Sequence, residues 1–307
     1  MNKSLVFGRL ITAVVTPFAS DGSIDFGALE TLIYHIAVTK SDAVVIAGTT
    51  GEGATLSFEE KVELFRFWKE KSPQGIKLIA NTGTNDTAYS IKLTQEAEKL
   101  KMDGIMAVYP YYNKPNTEGQ VRHFRALANA TALPIMLYNV PSRTGGGMTL
   151  EAIIELSGTS NIVAIKEASG NLEFVSSIAK YTEGQLDIYS GDDTLTLPIL
   201  SIGGVGVVSV ASHIVGEEIK RMIDLFLNGD TEGARKIHLQ LFGLFKALFI
   251  TVNPVPIKTA LSFLGMMGEH FRLPLVPASD GVKKELISIM SQHGLFPGIP
   301  GVSPNRS

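Results

Sequence analysis

The sequence predicts an α/β fold, a (β/α)8 TIM barrel with a C-terminal appendage of three helices. Three observations predict it. Eight short apolar runs begin near Leu10, Ala43, Lys77, Gly104, Pro134, Ile162, Leu186 and Gly206, about 20 to 34 residues apart, which is the period of a strand followed by a helix. The run from Ile162 to Ile165 is continuously hydrophobic, as expected of a parallel strand buried on both faces. Eight such units without a GxGxxG turn favour a closed barrel over an open doubly wound sheet. A chain of 307 residues with 45% hydrophobic content suits one large barrel with an appendage. The strand-helix period stops at Gly229, which divides the chain into a barrel, 1–229, and a helical segment with a short tail, 230–307.

In chain order, Met1 to Phe18 contains Lys3 and Arg9 but no apolar region leading to a small-residue cleavage site, so it reads as the first strand and not a signal peptide. Ser57-Phe58-Glu59-Glu60 and Thr117-Glu118-Gly119-Gln120 have the form of capping boxes that start helices. The helical pattern Ile219 to Leu227 ends at Asn228-Gly229. Helices follow over roughly Thr231 to Phe249, Pro256 to Leu264 and Ser279 to His293. Within the first of these, Gly243 and Lys246 interrupt the apolar stretch Leu241 to Ile250, which marks a core helix and not a membrane span. Pro297 to Ser307, with three prolines and two glycines, reads as a loose or surface-hugging tail.

A net charge of -3 and a pI near 6.1 give no general basic field, which argues against nucleic acid or an anionic membrane as partner. Small metabolites fit better. The lack of cysteine removes disulfides, thiolate catalysis and thiolate metal sites, and is compatible with the cytoplasm. The six histidines are scattered, with no HExxH, so no metal site is expected.

The apolar runs are followed by polar clusters at their C-terminal ends, the face on which barrel enzymes build their sites. Run six ends in Lys166-Glu167-Ala168-Ser169-Gly170. A lysine at the tip of a buried strand can be partly desolvated, which lowers its pKa and makes it a candidate carbonyl nucleophile. Its plain alternative is a strand-end lysine snorkelling into solvent. Run two ends in Gly48-Thr49-Thr50-Gly51-Glu52-Gly53, where glycines permit close backbone approach and hydroxyls with adjacent amides can hold a carboxylate, though a simple glycine turn would look the same. Runs four and five end in Tyr109-Pro110-Tyr111-Tyr112-Asn113-Lys114-Pro115 and Tyr138-Asn139-Val140-Pro141-Ser142-Arg143-Thr144-Gly145. Tyrosines from two strand ends together with Thr50 could form a hydroxyl relay that moves protons around an imine; alone, each is a packing residue with a satisfied hydroxyl. Arg143 is a fork donor for a carboxylate, or a surface ion pair. Asp192 and Asp193 in Ser190-Gly191-Asp192-Asp193 read as caps of the following helix.

Taken in order, the GTTGE loop, Tyr111-Tyr112-Asn113, Tyr138 to Gly145, Ile165-Lys166-Glu167-Ala168, Ser190 to Asp193 and Asn253-Pro254-Val255-Pro256 resemble the dihydrodipicolinate synthase branch of the pyruvate-dependent class I aldolases, whose superfamily also holds N-acetylneuraminate lyase. The resemblance runs from Gly8 to about His293. It implies a lyase without a cofactor, condensing pyruvate with aspartate semialdehyde in diaminopimelate and lysine synthesis. Carried over by position, Lys166 forms the Schiff base, Thr49 and Thr50 hold the pyruvate carboxylate, and Thr50, Tyr138 and Tyr112 form the relay. Arg143 binds the semialdehyde's carboxylate, while Gly191 and the backbone at Val208 line the cavity. The tyrosine at the position of Tyr112 reaches into a neighbouring subunit in the family, which implies a homo-oligomer, most often a tetramer built as a dimer of dimers. A lysine effector site is implied near Gly53, Ala54, Phe58, Lys61, Asn85, Tyr89 and Tyr111. Phe58 and Lys61 stand where sensitive relatives tend to carry histidines, and Tyr89 stands where they carry a glutamate, so inhibition by lysine is expected to be weak or absent. Gly53, Ser169 and Val205 also depart from the common serine, threonine and histidine. Two other readings are a different pyruvate aldolase, for a keto-sugar acid or sialic acid, and a catalytically idle metabolite-binding paralogue.

Overall fold

The computed structural model describes residues 5–295. Eight parallel strands close into a barrel in sequence order: β1 (Leu10–Ala13), β2 (Ala43–Ile46), β3 (Lys77–Asn81), β4 (Gly104–Val108), β5 (Ile135–Asn139), β6 (Ile162–Glu167), β7 (Asp187–Ser190) and β8 (Gly206–Ser209). The eight apolar runs coincide with them to within a residue at their starts. Helices α1 (Phe26–Val38), α2 (Phe58–Lys71), α3 (Thr87–Lys99), α4 (Thr117–Asn129), α5 (Pro141–Thr144), α6 (Leu150–Ser157), α7 (Leu172–Thr182), α8 (Thr196–Ser201) and α9 (Ser212–Leu227) occupy the connections. After Gly229, whose φ of +90° suits the helix stop, come α10 (Thr231–Ala247), α11 (Val255–Phe263) and α12 (Asp280–Gln292). No helix among the described residues is long and apolar enough to cross a membrane. The tail expected over Pro297 to Ser307 lies outside the described residues.

Side chains alternate along the strands and so separate two cores. Ile11, Val45, Ile79, Met106, Met136, Ala164, Tyr189 and Val208 fill the barrel interior. Their neighbours Leu10, Val44, Leu78, Ile105, Leu137, Ile165 and Val207 face the helices, in one continuous cluster that extends to Leu244 and Phe245 of α10, Ile257 of α11 and Leu286 of α12. His213 helps close the ring. Its Nδ1 donates to Val210 O at 2.8 Å while its Nε2 accepts from Val15 N at 3.2 Å, so β8 and β1 are tied by a neutral imidazole whose pKa burial pushes down to about 4.

Two local expectations need correction. Ser57 and Glu60 do form the reciprocal capping box of α2, but α4 is capped by Asn116, whose Oδ1 accepts from Gly119 N at 2.9 Å. The asparagine one residue upstream takes the cap, and Gln120 is drawn away from a reciprocal bond, donating to Pro115 O and accepting from Thr149 N. Of the two aspartates after β7, Asp192 caps the short 3-10 turn Asp193–Leu195. Asp193 instead is buried and accepts from Ser209 Oγ and from the amides of Val210 and Ala211, fixing the loop after β8.

Candidate active site

Register decides which way Lys166 points. Between β5 and β6 the pairing runs from Ile135–Ile162 directly to Met136–Ala164, so Val163 is an extra residue on β6. A bulge of this kind re-phases the strand beyond it. Downstream, Ile165 and Glu167 face outward while Ala164 and Lys166 face the interior, with Lys166 paired to Tyr138 on one side and Tyr189 on the other. Lys166 is buried, 6% exposed, and its Nζ lies 4.3 Å from the centroid of the Tyr138 ring. It makes no ion pair among the described residues. The snorkelling alternative is excluded by this burial.

Lys166 forms the floor of a cavity of about 180 Å3 lined by Thr49, Thr50, Tyr138, Arg143, Gly191 and Asn253. The loop carrying the threonines is held from several sides. Thr16 Oγ1 donates to Gly51 O at 2.7 Å, Gly53 N to Gly48 O at 3.0 Å, and Asn81 Nδ2 to Ala47 O at 3.1 Å. A Cβ on Gly53 would collide with the carbonyl of Ala47, so this loop as folded has no room for the serine common at that position. Asn253 Nδ2 donates to Thr50 Oγ1 at 3.0 Å. That occupies an acceptor site of the hydroxyl and leaves its proton to be given to something in the cavity. The cis peptide Asn253-Pro254 leads directly into α11, so the C-terminal helices contribute to the site.

Beneath the loop, the ammonium of Lys258 meets the carboxylate of Glu52 in a pair with side chains 0% and 1% exposed. Glu52 also accepts from Arg272 N at 3.2 Å. Behind β6, the buried Glu167 accepts from Asn139 Nδ2 at 2.7 Å and Ser169 N at 2.6 Å, and burial raises its pKa against those bonds. The carbonyl of Glu167 accepts from Gly191 N at 2.8 Å.

Arg143, at the rim on α5, is exposed and makes no ion pair among the described residues, so its fork faces the cavity uncommitted. Two named residues are not brought to this cavity. Val208 is in the barrel interior one strand step deeper, and Val210 is what reaches the lining. Tyr112, with φ at +73°, is 88% exposed and lies outside the cavity of its own chain. The roles of Asn253, Glu52 and Lys258 are not legible in the sequence: the Asn253-Pro254 pair is the visible signal for the first, and nothing local marks the ion pair.

A second cavity, about 580 Å3, opens beside the first and shares Thr49, Tyr138, Val140, Arg143 and Asn253 with it. Gly53, Ala54, Lys61, Asn85, Tyr89 and Tyr111 line it. Phe58 packs behind them, edge-on to Tyr89 at 5.6 Å.

Residues 6–293 match the model of the dihydrodipicolinate synthetase family. The chain belongs to that family. Its relatives include 4-hydroxy-tetrahydrodipicolinate synthases of Moorella thermoacetica, 47% identical over 94% of this chain and 99% of the relative, and of Bacillus subtilis, 48% identical over 93% and 99%. Among solved structures, a dihydrodipicolinate synthase of Cyanidioschyzon merolae with lysine bound is similar at a TM-score of 0.93 and 49% identity, covering 95% of this chain and 99% of that one. The closed eight-strand barrel is therefore the fold of dihydrodipicolinate synthetase family members.

Proposed function

We propose that this chain is a 4-hydroxy-tetrahydrodipicolinate synthase, a lyase that condenses pyruvate with L-aspartate-4-semialdehyde. The observation that carries the reading is the buried Lys166 amine over the Tyr138 ring, in a cavity with Thr49 and Thr50 on one wall and Arg143 at the rim. The names of the relatives support it.

In this mechanism the neutral amine of Lys166 adds to the keto carbon of pyruvate and water leaves, forming an iminium. The iminium is an electron sink, so a methyl proton departs to give an enamine and no cofactor is called for. The enamine carbon attacks the aldehyde carbon, and the new alkoxide takes a proton. The semialdehyde's own amine then displaces Lys166 from the imine carbon, closing a six-membered ring and freeing the enzyme. One water is released overall. Thr50 and Tyr138 pass the protons, while the amides and hydroxyls around Thr49 and Thr50 hold the pyruvate carboxylate. Arg143 holds the carboxylate of the second substrate.

A sugar-acid aldolase would share the iminium but would present a neutral hydroxylated chain at the rim, where a guanidinium fork has little to grip. Arg143→Ala tests the distinction. Two charge-assisted bonds, at about 1.5–3 kcal/mol each, should vanish from the second half-reaction, lowering kcat/KM for aspartate semialdehyde on the order of a hundredfold or more. Formation of the borohydride-reducible pyruvate adduct should stay near normal. Equal damage to both half-reactions would show that Arg143 is structural and remove the basis for this substrate.

We further propose a homotetramer, built as a dimer of dimers and working in the cytoplasm on free metabolites. The support is Tyr112, a large aromatic 88% exposed beside the site, which a second copy would bury and use as the last member of its neighbour's relay. Sedimentation during turnover checks this: full activity from a monomeric species would contradict it.

A further inference from the structure

One step beyond the pair Tyr138 and Lys166, the register sets Asn139 of β5 opposite Glu167 of β6. Alternation turns both away from the cavity, into the layer between strands and helices that Leu137 and Ile165 also face. That layer is apolar, yet both residues are buried in it, Asn139 at 1% and Glu167 at 2% exposed. Glu167 makes no ion pair among the described residues, and a carboxylate removed from water without a cation is costly unless fixed donors replace the water. Two donors do so. Asn139 Nδ2 donates to Glu167 Oε2 at 2.7 Å and Ser169 N to Oε1 at 2.6 Å. An apolar pair would fill the same space at lower cost, so what the polar pair fixes explains it better than stability does.

Three segments of the cavity wall converge on this pair. Asn139 Oδ1 accepts from Met148 N at 2.9 Å, which ties down the segment that follows α5 and Arg143. Asn139 O accepts from Ala168 N at 2.9 Å, and Glu167 O accepts from Gly191 N at 2.8 Å; Ala168 and Gly191 both line the cavity with Lys166. Asn139 directly follows Tyr138, and Glu167 directly follows Lys166. A side-chain bond across β5 and β6 at this step fixes the separation of the two strand ends, and with it the seat of the Lys166 amine over the Tyr138 ring.

We infer that Asn139 and Glu167 are positioning residues for the Schiff-base step, holding the Lys166 amine and the Tyr138 side chain in the arrangement from which the amine adds to the keto carbon. The inference rests on the reaction proposed above. Neither side chain lines the cavity, so the pair acts through the strand ends and not on the substrate.

Exchanging the two residue types tests it. In Glu167→Gln the new amide nitrogen must face either Asn139 Nδ2 or Ser169 N, donor against donor, and Asn139→Asp sets two carboxylates face to face. When Asn139→Asp is combined with Glu167→Gln, the carboxylate on β5 accepts from Met148 N and from the amide on β6, whose oxygen accepts from Ser169 N. All three bonds return, with the central one reversed. Timed borohydride quenching at saturating pyruvate, read by mass, separates the rate constant of adduct formation from its final extent. Each single variant should lower the rate constant about ten- to a hundredfold, the loss expected when a reacting group is misplaced by up to an ångström. Half-saturation by pyruvate, set by the loop of Thr49 and Thr50, should move little. The combined variant should return to within about threefold of the parent, the coupling expected of residues in direct contact. Partial unfolding would instead lower the final extent and the melting temperature and leave the rate constant alone. Should a single variant not fold, Glu167→Asp, which keeps the charge but is too short to reach both donors, should slow the step in the same way. Single variants with the parent's rate constant, losses confined to the final extent, or a folded combined variant that stays slow would each overturn the inference. A parent that forms no adduct would overturn the reaction itself and this inference with it.

Discussion

Lys166→Arg is expected to lose the reducible pyruvate adduct and to lower kcat by at least about three orders of magnitude, some 4 kcal/mol of barrier. Arginine keeps the positive charge over the Tyr138 ring but never presents a neutral amine at working pH. The interior pairing of β6 with β5 and β7 does not depend on the terminal nitrogen, so the fold should persist and the loss should be chemical. Electrospray mass measurement after borohydride treatment with pyruvate reads the adduct, and a coupled assay reads turnover. An adduct on the variant, or turnover within about tenfold of the parent, would remove Lys166 from the nucleophile's role.

That prediction could be framed from the sequence because strand position and residue type were both visible there. The run Ile162 to Ile165 is apolar without interruption, and Lys166 follows it at once. Its facing was not visible. A continuous apolar run has no alternation to reveal which side is interior, and the extra residue at Val163 that sets the phase shows only in the pairing with β5. Strand starts were legible for the same reason that facing was not: parallel strands buried on both faces stand out as blocks.

Helix starts were less secure. At α4 the capping box expected at Thr117 gave way to Asn116, with Gln120 bonded to Pro115 O and, from another connection, to Thr149 N. At the site, the residues contributed by strand ends were found by their order along the chain. Those that act across the fold were not. Thr50 and Asn253 lie 203 residues apart, and Glu52 and Lys258 lie 206 apart; no local periodicity links them. Lys258 is buried in α11 along with its neighbours Ile257 and Thr259, yet as a residue type it looks in sequence like any solvent-facing lysine. Tyr112 poses the reverse case, since its exposure in a single chain is a fact that position along the sequence could not supply.

Lys258→Met is expected to cost about 3–5 kcal/mol of stability, the range for removing one partner of a buried pair and leaving the other charge unpaired. The stranded group is the Glu52 carboxylate, 1% exposed, with the amide of Arg272 at 3.2 Å as its remaining donor. Lys258 also rests between the rings of Phe18 and Phe271, 4.4 and 4.8 Å from their centroids, contacts that methionine replaces with packing and not with charge. Neutralising Glu52 as well removes the cause, so Glu52→Gln combined with Lys258→Met should recover part of the loss. Denaturant midpoints of the two single variants and the double variant measure this as a cycle. The pair stabilises little relative to an apolar replacement of both partners, which directs attention to what it positions. Glu52 sits at φ +51° in the loop that carries Thr49 and Thr50, and Lys258 is about one helical turn from Asn253, whose side-chain amide donates to the Thr50 hydroxyl. Among folded molecules, the double variant should therefore still show a lower rate of pyruvate adduct formation, because the threonines are no longer pinned. A double variant with normal adduct formation would reduce the pair to a packing feature, and a single variant within about 1 kcal/mol of the parent would mean that water or a neighbouring group reaches Glu52 where the buried side chain now has no access.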